Sequence, residues 1–333
     1  MNTVLFETNE VNPDKEVIRK AAEFIRAGEL VAFPTETVYG LGGDGLNAQS
    51  AERIYIAKGR PSDNPLILHI SGWKQLEMLA QKLPASVYAL SKVFWPGPLT
   101  FVLERTSIVP DAVTGHRNTV AVRMPDHPVA LALIRAANTP IAAPSANLSG
   151  KPSPTTAQHV ADDLNGRIAA IVDAGPTRIG LESTVVDLTT PVPTILRQGG
   201  IGLDELRTVA PETVLATGIT EARAPGMKYR HYSPNAEVRI ALSIPNCHRE
   251  ADELMSNGKR VGWIGQSACA GAVHLLFPND AAFYARFYFA ALRDLDQQKI
   301  DVIYVEPIAD AGLGAAVMDR VLRSAGYNTA SSD

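Results

Sequence analysis

In LVAFPTETVYGLGGD (residues 30–44), a short apolar run leads directly into a loop of small hydroxyls, proline and glycine. The first four residues, Leu30–Phe33, predict a buried strand. Before it, apolar residues recur at helical spacing from Asp14 to Ala27. We expect Asn12 to cap this helix and Gly28 to end it. The chain therefore opens with a helix, a strand and a polar loop.

The same alternation of helices and strands continues downstream. Short apolar runs predict strands at Leu66–Ile70, Leu99–Glu104, Thr119–Arg123, Ile141–Ala143, Ile168–Asp173, Ser183–Asp187 and Thr194–Arg197. Helical spacing predicts helices at Ser50–Ala57, Ser86–Phe94 and His127–Ala136. Strands interleaved with helices indicate an α/β domain.

A second, smaller α/β unit is predicted after a break in this pattern. Regular spacing ends near Ala210, and the segment APGMKYRHYSP (residues 224–234) is rich in bases and turn formers. Strands are then predicted at Val238–Leu242, Val261–Ile264 and Val302–Val305, and helices at His248–Ser256, Ala281–Leu295 and Gly314–Ser324. We therefore divide the chain into a domain of residues 1–209, a linker or lid of residues 210–235, and a small domain of residues 236–333.

The composition is that of an ordinary globular protein, with 46% hydrophobic and 20% charged residues among 333. The net charge of −4 argues against a broad surface for nucleic acid, which would normally be basic. The N-terminal segment lacks a signal-peptide pattern and no apolar run is long enough to span a bilayer, so we expect a cytoplasmic protein. The two cysteines, Cys247 and Cys269, lack the spacing of a metal site.

Common nucleotide and hydrolase motifs are absent from the sequence, apart from one decoy. Gly40, Gly42 and Gly45 satisfy the pattern GxGxxG. In a dinucleotide site this pattern follows a strand directly and an acidic residue lies further on. Here PTETVY separates strand from glycines, and Lys58 and Arg60 stand where the acid is expected. We therefore interpret the glycines as a turn that allows close backbone approach.

The most informative signal is a set of short runs that follow or end strands and mix small hydroxyls with bases, glycine and proline. They are PTETVYGLGGD (34–44), KGRPSDNPLILHI (58–70), WPGPLT (95–100), VAVRMPDHP (120–128), APSANLSG (143–150), LESTVVD (181–187) and ILRQGGI (195–201). Such residues are typical of rigid loops at one edge of a sheet, where ligand sites of α/β proteins usually form.

Four cations recur in these runs, namely Lys58, Arg60, Arg123 and Arg197. A single base is usually a solvated surface residue. Arg123 and Arg197, however, each end an apolar strand, where a lone charge needs a partner. The hydroxyl and amide side chains expected beside them are Ser145, Asn147, Ser183 and Thr184. Together these groups would form a pocket for a polyanion and a small polar ligand, such as a triphosphate and an amino acid.

Taken in order, PTETVYGL, KGRPSDNPL, WPGPLT, AVRMPDHP, PSAN and LESTVVD resemble the YrdC-type threonylcarbamoyl-AMP synthase family. The segment APGMKYRHYSP and the unit behind it resemble the long, two-domain form of that family. The resemblance covers essentially the whole chain. It implies a twisted, open mixed sheet with a concave positive cleft, followed by a small Rossmann-like domain.

The resemblance also implies a reaction. L-Threonine, bicarbonate (or CO2) and ATP would give threonylcarbamoyl-AMP, diphosphate and water, with Mg2+ on the phosphates. A tRNA threonylcarbamoyl transferase complex would then use the product to modify adenosine-37 of tRNA. We expect neither a stable nucleic-acid contact nor a membrane contact for this chain.

The resemblance also implies which residues contact each substrate, through the positions that match the motifs of the family. L-Threonine would contact Thr37, His69, Arg123, Ser183 and the backbone of Ala143. ATP would contact Arg60, Asn64, Thr119, Ser145, Ser153, Arg197 and Tyr232. Lys58 would lie beside the reacting phosphate, and Lys58 and Arg60 would stabilise its growing charge. Because the product is prone to hydrolysis, we expect Met227–Tyr232 to cover the cleft as a lid.

Two other functions remain open from the sequence. A double-stranded RNA-binding module would use the positive cleft differently, and would show a steep dependence of binding on salt. A related carbamoyl-adenylate enzyme, like the YrdC-type module of hydrogenase-maturation proteins, would start from carbamoyl phosphate. The small second domain could bind a regulator, dock the lid or serve a structural role, and no motif in it chooses among these.

Overall fold

The computed structural model describes residues 2–216 and 232–326. The described residues form two compact units, residues 2–149 with 153–216, and residues 150–152 with 232–326. The first unit thus extends beyond the expected boundary at residue 209, because residues 214–215 add a strand to its sheet. Of the expected lid, Met227–Tyr232, only Tyr232 lies within the described residues.

The first unit combines a large sheet with short helices. Its strands are β1 (Val4–Glu7), β2 (Val31–Phe33), β3 (Gly40–Asp44), β4 (Ile67–His69), β5 (Leu99–Glu104), β6 (Thr119–Arg123), β7 (Ile141–Ala142), β8 (Ala170–Asp173), β9 (Thr184–Asp187), β10 (Thr194–Arg197) and β11 (Val214–Leu215). Its helices are α1 (Lys15–Arg26), α2 (Ala48–Lys58), α3 (Trp73–Leu79), α4 (Ala85–Phe94), α5 (Asp111–Thr114), α6 (Pro128–Ala137), α7 (Ala157–Leu164) and α8 (Leu203–Arg207).

The N-cap of α1 lies two residues after the expected one. Asp14 caps the helix, because its Oδ1 accepts hydrogen bonds from the backbone N–H groups of Glu16 at 2.8 Å and Val17 at 3.1 Å. The expected cap, Asn12, is wrong, and its own N–H donates to Asn9 Oδ1 instead. The expected end at Gly28 is confirmed, with a φ of 77° that suits glycine.

Gly40 and Gly42 of the GxGxxG pattern lie in strand β3, so their interpretation as a turn is wrong, whereas Gly45 lies in the turn that follows the strand. β3 pairs antiparallel with β2, with Phe33 opposite Gly40. The close approach expected of these glycines is present. A Cβ atom added to Gly42 would lie 2.8 Å from both Phe33 Cε1 and Ile141 Cγ2. Glycine is therefore required here by the side chains that pack over the strand.

The sheet is mixed, with the strand order β1-β8-β2-β3-β7-β4-β6-β5-β9-β10-β11. β4 and β6 are parallel, whereas β5 and β7 run antiparallel to them. Because antiparallel neighbours end at opposite edges, the carboxyl ends of the motif-bearing strands are divided between both edges. The expectation that the site loops share one edge is therefore wrong.

One face of the sheet gathers the polar side chains instead. Successive side chains of a strand point to opposite faces, and residues in register share a face. His69, Arg123 and Thr100 are register neighbours on adjacent strands, so they lie on the same face. A small apolar cluster lies beside them and contains Ile67, Val102, Ala121 and Val185. The main core of the unit packs on the other face of these strands.

The second unit is a four-stranded parallel sheet with helices, as a Rossmann-like domain requires. Its elements are β12 (Glu237–Ile240), α9 (Ile244–Ser256), β13 (Val261–Gly265), β14 (Val273–Leu276), α10 (Ala281–Gln297), β15 (Val302–Val305) and α11 (Leu313–Ser324). The strand order is β12-β15-β13-β14, and every pairing is parallel. Among residues 2–216 and 232–326, no helix combines the length and apolar character needed to cross a membrane.

Candidate active site

Arg123 is the centre of the polar face. It ends β6 and is 4% exposed. Its Nε donates to the carbonyl of Gly97 at 3.2 Å, and its Nη1 donates to Thr37 Oγ1 at 3.0 Å. Its Nη2 lies 2.6 Å from Glu36 Oε2. The charge at this strand end is therefore fixed from three directions, which answers the expectation that a lone buried base needs a partner.

A chain of hydroxyl groups runs from Arg123 into the PTET loop. Thr35 Oγ1 donates to the carbonyl of Val38 at 2.7 Å and lies 2.7 Å from Thr37 Oγ1. Since the one hydrogen of the Thr35 hydroxyl is used by Val38, Thr37 is the donor to Thr35. Thr37 also accepts from Arg123. A ligand hydroxyl would therefore approach Thr37 as a donor.

His69 lies beside Arg123 in the β4–β6 register and is buried. Burial, and secondly the positive charge of Arg123, lower the pKa of His69 to about 3. The imidazole is therefore neutral near pH 7. Its ring packs edge-on against Phe33, and its Nδ1 has no hydrogen-bond partner among the described residues. A neutral ring with an unused nitrogen can accept from or donate to a bound ligand.

Ser183 links the centre of the site to Arg197. Ser183 Oγ lies 2.8 Å from Thr100 Oγ1, and Thr100 is opposite Arg123 in the β5–β6 register. Arg197, at the end of β10, donates from Nη2 to the Ser183 carbonyl at 2.8 Å and to Ser183 Oγ at 3.2 Å. The structure thus brings Arg123, Ser183 and Arg197 together around Thr100.

Lys58 holds the PSAN loop. Its buried Nζ donates to the carbonyls of Ser145 and Asn147, each at 2.5 Å. Ser145 Oγ in turn donates to Asn147 Oδ1 at 2.5 Å. The loop returns to Lys58 through the Ser149 N–H, which donates to the Lys58 carbonyl. The ammonium group therefore joins the C-terminal end of α2 to the loop that carries Ser145.

Ser153 and Ala143 lie on the two sides of this loop. Ser153 is fully buried, and its Oγ donates to Glu182 Oε1 at 2.6 Å. Glu182 precedes Ser183 in the chain, so this bond ties the Ser153 segment to the Ser183 segment. The backbone N–H of Ala143 donates to the carbonyl of Ile67 at 2.9 Å, which leaves its carbonyl as the group that could meet a ligand.

Arg60, Asn64 and Thr119 lie toward the opposite end of the β4–β6 pair from Arg123. Arg60 Nη2 donates to the carbonyls of Asn64 at 3.2 Å and Pro65 at 3.1 Å. Thr119 is the first residue of β6, roughly 13 Å along the strand from Arg123. The Asn64 side chain is 1% exposed, and neither its Oδ1 nor its Nδ2 has a hydrogen-bond partner within the described residues. Buried amides rarely stay unsatisfied, so this one points to a ligand.

Comparison with known proteins finds relatives over nearly the whole chain. Residues 23–199 match the family model described as telomere recombination, and residues 201–326 match the threonylcarbamoyl-AMP synthase C-terminal domain. Threonylcarbamoyl-AMP synthase of Pyrococcus abyssi is 50% identical over 93% of this chain and 94% of its own length. The Bacillus subtilis protein of that name is 44% identical over 96% of both chains. A crystal structure of P. abyssi Sua5 complexed with L-threonine has a TM-score of 0.95 and 46% identity, and covers 98% of this chain and 99% of that chain.

The chain belongs to the threonylcarbamoyl-AMP synthase family. The resemblance drawn from the short motifs is thereby confirmed over both domains. The expected fold class is confirmed as well, because the mixed sheet and the separate parallel sheet match the two-domain Sua5 structure.

Tyr232, which the family resemblance assigned to ATP, lies in the second unit of this synthase-family chain. Its ring stacks on Phe289 with centroids 5.1 Å apart. The guanidinium of Arg320 lies 5.6 Å from the ring centroid. Tyr232 is 5% exposed, so its ring contributes to the packing of that unit. The remaining five residues of the expected lid, 227–231, lie outside the described residues.

Two residues at the centre of the synthase-family site were not singled out from the sequence. Glu36 faces Arg123, and Thr100 bridges toward Ser183. Both are in motifs that were recognised, PTETVYGL and WPGPLT. The signal for Glu36 was an acid inside an otherwise neutral buried loop. The signal for Thr100 was a hydroxyl within the apolar run Leu99–Leu103. Because side chains alternate along a strand, Thr100 lies on the face opposite to that of Leu99 and Phe101.

Proposed function

We propose that this chain converts L-threonine, bicarbonate and ATP into threonylcarbamoyl-AMP, diphosphate and water, or uses CO2 in place of bicarbonate without forming water. The observation that carries the proposal is the buried Arg123, which Gly97, Thr37 and Glu36 hold in place and whose Nη2 has no hydrogen-bond acceptor among the described residues. A guanidinium fixed in this way suits a carboxylate, which it can bind through two N–H groups. Membership in the threonylcarbamoyl-AMP synthase family supplies the reaction.

The amino-acid subsite is proposed around Arg123. The substrate carboxylate would bind Arg123. The substrate hydroxyl would meet Thr37, which accepts from Arg123, or Ser183, which bonds to Thr100 opposite Arg123. The neutral His69 adds a hydrogen-bonding group without adding charge. The threonine complex of the P. abyssi relative, which is 46% identical, supports this assignment.

The nucleotide subsite is proposed around Arg60, Asn64, Thr119, Ser145, Ser153 and Arg197. The unpartnered buried amide of Asn64 supports it, because a purine or ribose edge could satisfy both amide atoms. Lys58 contributes by fixing the loop that carries Ser145. The charge of this ammonium would also lower the energy of the phosphates nearby. The family resemblance adds Tyr232 to the residues proposed for ATP.

The proposed chemistry requires alignment rather than a covalent enzyme intermediate. After the ammonium of threonine has lost a proton to solvent, the neutral amine attacks CO2 and forms the carbamate, and the second proton lost from nitrogen also passes to solvent. When bicarbonate is the carbon source, its hydroxide takes that second proton and leaves as water. A carbamate oxygen then attacks the α-phosphorus of ATP, and the bond to diphosphate breaks. Fixed donors such as Arg60 and Arg197 would stabilise the charge on the phosphates.

Mg2+ is proposed as the companion of ATP, where it would neutralise phosphate charge. Among residues 2–216 and 232–326, no group of three or more His, Cys, Asp or Glu side chains could hold a metal ion. Phosphate oxygens and water would therefore supply most of its ligands, as is common for Mg2+. A cytoplasmic tRNA threonylcarbamoyl transferase complex is the proposed user of the product.

Diphosphate release tests this proposal. The full chain is incubated with ATP, Mg2+ and bicarbonate, and each of the common amino acids is added separately. We expect release to depend on L-threonine and to fall strongly with L-serine or L-valine, which each lack one of its polar or methyl groups. Equal release with every amino acid, or release without any, would contradict the proposal.

A further inference from the structure

Glu36 is the buried acid in the centre of the proposed amino-acid subsite. Its side chain is 3% exposed. Neither carboxylate oxygen has a hydrogen-bond partner among the described residues. The described ion pair of this carboxylate is with Arg123, whose Nη2 lies 2.6 Å from Oε2 without an aligned N–H group. The carboxylate therefore has most of its accepting capacity unused.

An ionised carboxylate accepts about four hydrogen bonds and donates none. Burying it without such bonds is costly, and buried polar groups are nearly always satisfied. The group that satisfies Glu36 must therefore be a donor, and a cationic donor would gain most from the negative charge. The described neighbours contribute Arg123 alone as a cation, and that cation is already divided among Gly97, Thr37 and Glu36.

The backbone holds Glu36 in place. The N–H of Ile179 donates to the Glu36 carbonyl at 2.8 Å, and the N–H of Gly180 donates to the Thr37 carbonyl at 2.9 Å. The Thr35 hydroxyl bonds within the loop to Val38. The loop is therefore fixed on both sides of the carboxylate, and a ligand would meet a group already in position.

Glu36 and Arg123 together present opposite charges a hydrogen-bond length apart. An α-amino acid presents the complementary pair, an ammonium and a carboxylate on the same carbon atom. We infer that Glu36 binds the ammonium group of the amino-acid substrate, beside Arg123, which binds its carboxylate. The inference rests on the proposed function and deepens it, because it makes Glu36 the residue that selects an amino acid over an analogue without the ammonium group.

The test compares two ligands on two proteins by calorimetric titration. One ligand is L-threonine, and the other is (2S,3R)-2,3-dihydroxybutanoate, in which a hydroxyl replaces the amine. We expect the wild-type chain to prefer L-threonine. Glu36→Gln should weaken L-threonine binding by roughly 10- to 100-fold and change binding of the hydroxy acid less than about threefold.

Two control variants make the result specific. Arg123→Lys should weaken both ligands alike, because both carry the carboxylate. Glu104→Gln, at the exposed end of β5, should change neither. Equal weakening of both ligands by Glu36→Gln would overturn the inference, since Glu36 would then act only by positioning Arg123. Unchanged binding of both ligands would overturn it too.

The inference can still be tested if the Glu36→Gln variant does not fold. If circular dichroism shows that Glu36→Gln is unfolded, Glu36→Asp keeps the charge on a shorter side chain, and the same ratio of affinities decides. A selective loss for L-threonine supports the inference, and a parallel loss for both ligands overturns it. Failure of the proposed function looks different, because the wild-type chain would then release no diphosphate with L-threonine.

Discussion

The guanidinium of Arg123 is shared by a carbonyl, a hydroxyl and a carboxylate, and this sharing sets the direction of its remaining N–H groups. The sequence indicated Arg123 because a base that ends an apolar strand needs a partner. It could not indicate which partner, since Glu36 lies 87 positions away. That contact depends on how the PTET loop folds across the sheet, which no local pattern records.

The two subsites should respond differently to loss of their arginines. Arg123→Ala should raise the KM for L-threonine by at least about tenfold and that for ATP much less, because it removes the fork for the carboxylate. Arg60→Ala should do the reverse. Steady-state diphosphate release with each substrate varied in turn measures both constants. If both variants alter both constants alike, the assignment of subsites is wrong.

His69 should make the fold sensitive to mild acid. Its pKa of about 3 in the folded chain lies below the ordinary 6.5, so the unfolded chain holds the extra proton between these values. The stabilisation is complete above pH 6.5 and is lost as the pH falls toward 3, by up to about 1.4 kcal/mol per pH unit.

Denaturant unfolding between pH 4 and 6.5 measures this slope. We expect His69→Gln to reduce it by up to that amount. A matched control is His116→Asn, because His116 is exposed and its φ of 64° is one that asparagine tolerates. An unchanged slope in His69→Gln would contradict the buried neutral state.

At the scale of elements, strands with apolar runs were predictable and strands of glycine were not. The bounds expected for β5, β6, β10 and β15 are confirmed residue for residue. β3, Gly40–Asp44, was missed because Gly40 and Gly42 were interpreted as part of a glycine-rich turn, and glycine disfavours strands. Packing decides otherwise there, since Phe33 and Ile141 fill the space that side chains on β3 would need.

Strand direction was the second thing that local patterns could not supply. Hydrophobic runs give the positions of strands but not their partners. The site was therefore expected at one edge of the sheet, whereas its residues meet on one face. Alternation along β5 does separate the two faces, with Thr100 and Val102 on one and Leu99, Phe101 and Leu103 on the other. The register with β6 then shows that Thr100 shares its face with Arg123.

Glycine in β3 should be essential to the packing of that strand. Gly42→Ala places a Cβ 2.8 Å from Phe33 and Ile141, and we expect a loss of about 1–3 kcal/mol in the free energy of unfolding. Gly72→Ala is the matched control, because a Cβ there meets nothing within 4 Å and the φ of 178° is extended backbone. Its cost should stay below about 1 kcal/mol. Urea unfolding of both variants measures the difference, and equal losses would count against the packing argument.

The net charge of the whole molecule is negative, although several basic side chains of the candidate site are buried. The chain carries 35 acidic and 31 basic residues, yet the bases of the site are held in the interior of the first unit or at its loops. Four bases, Lys58, Arg60, Arg123 and Arg197, therefore stand at the candidate site of a chain whose net charge is negative. The motifs predicted both domains and the family from the sequence. They could not predict how the second unit is stabilised.

Glu306 is central to the second unit. Its carboxylate accepts from Trp263 Nε1 and the Ser267 N–H, both at 2.8 Å, and from the Gln266 N–H at 3.0 Å. These donors lie at the carboxyl end of β13, where parallel α/β sheets commonly bind ligands. In this unit the Glu306 carboxylate accepts from those donors, in the place that a ligand takes in such sheets.

Glu306→Ala should therefore destabilise the second unit by about 2–4 kcal/mol, because it leaves buried donors without an acceptor. Hydrogen exchange followed by mass spectrometry should show faster exchange in β13 and β15. Exchange in β4 and β6 of the first unit serves as the internal control and should change little. A uniform increase over both units would contradict a local role for Glu306.

The most direct test of the whole account is detection of the product itself. The chain is incubated with L-threonine, ATP, Mg2+ and carbon-13-labelled bicarbonate, and the nucleotides are analysed by mass spectrometry. We predict an adenylate that contains threonine and one labelled carbon, formed by the wild-type chain and strongly reduced in Arg123→Ala. Diphosphate release without such an adenylate, or an adenylate of unchanged amount in Arg123→Ala, would contradict a site that aligns threonine with ATP through Arg123.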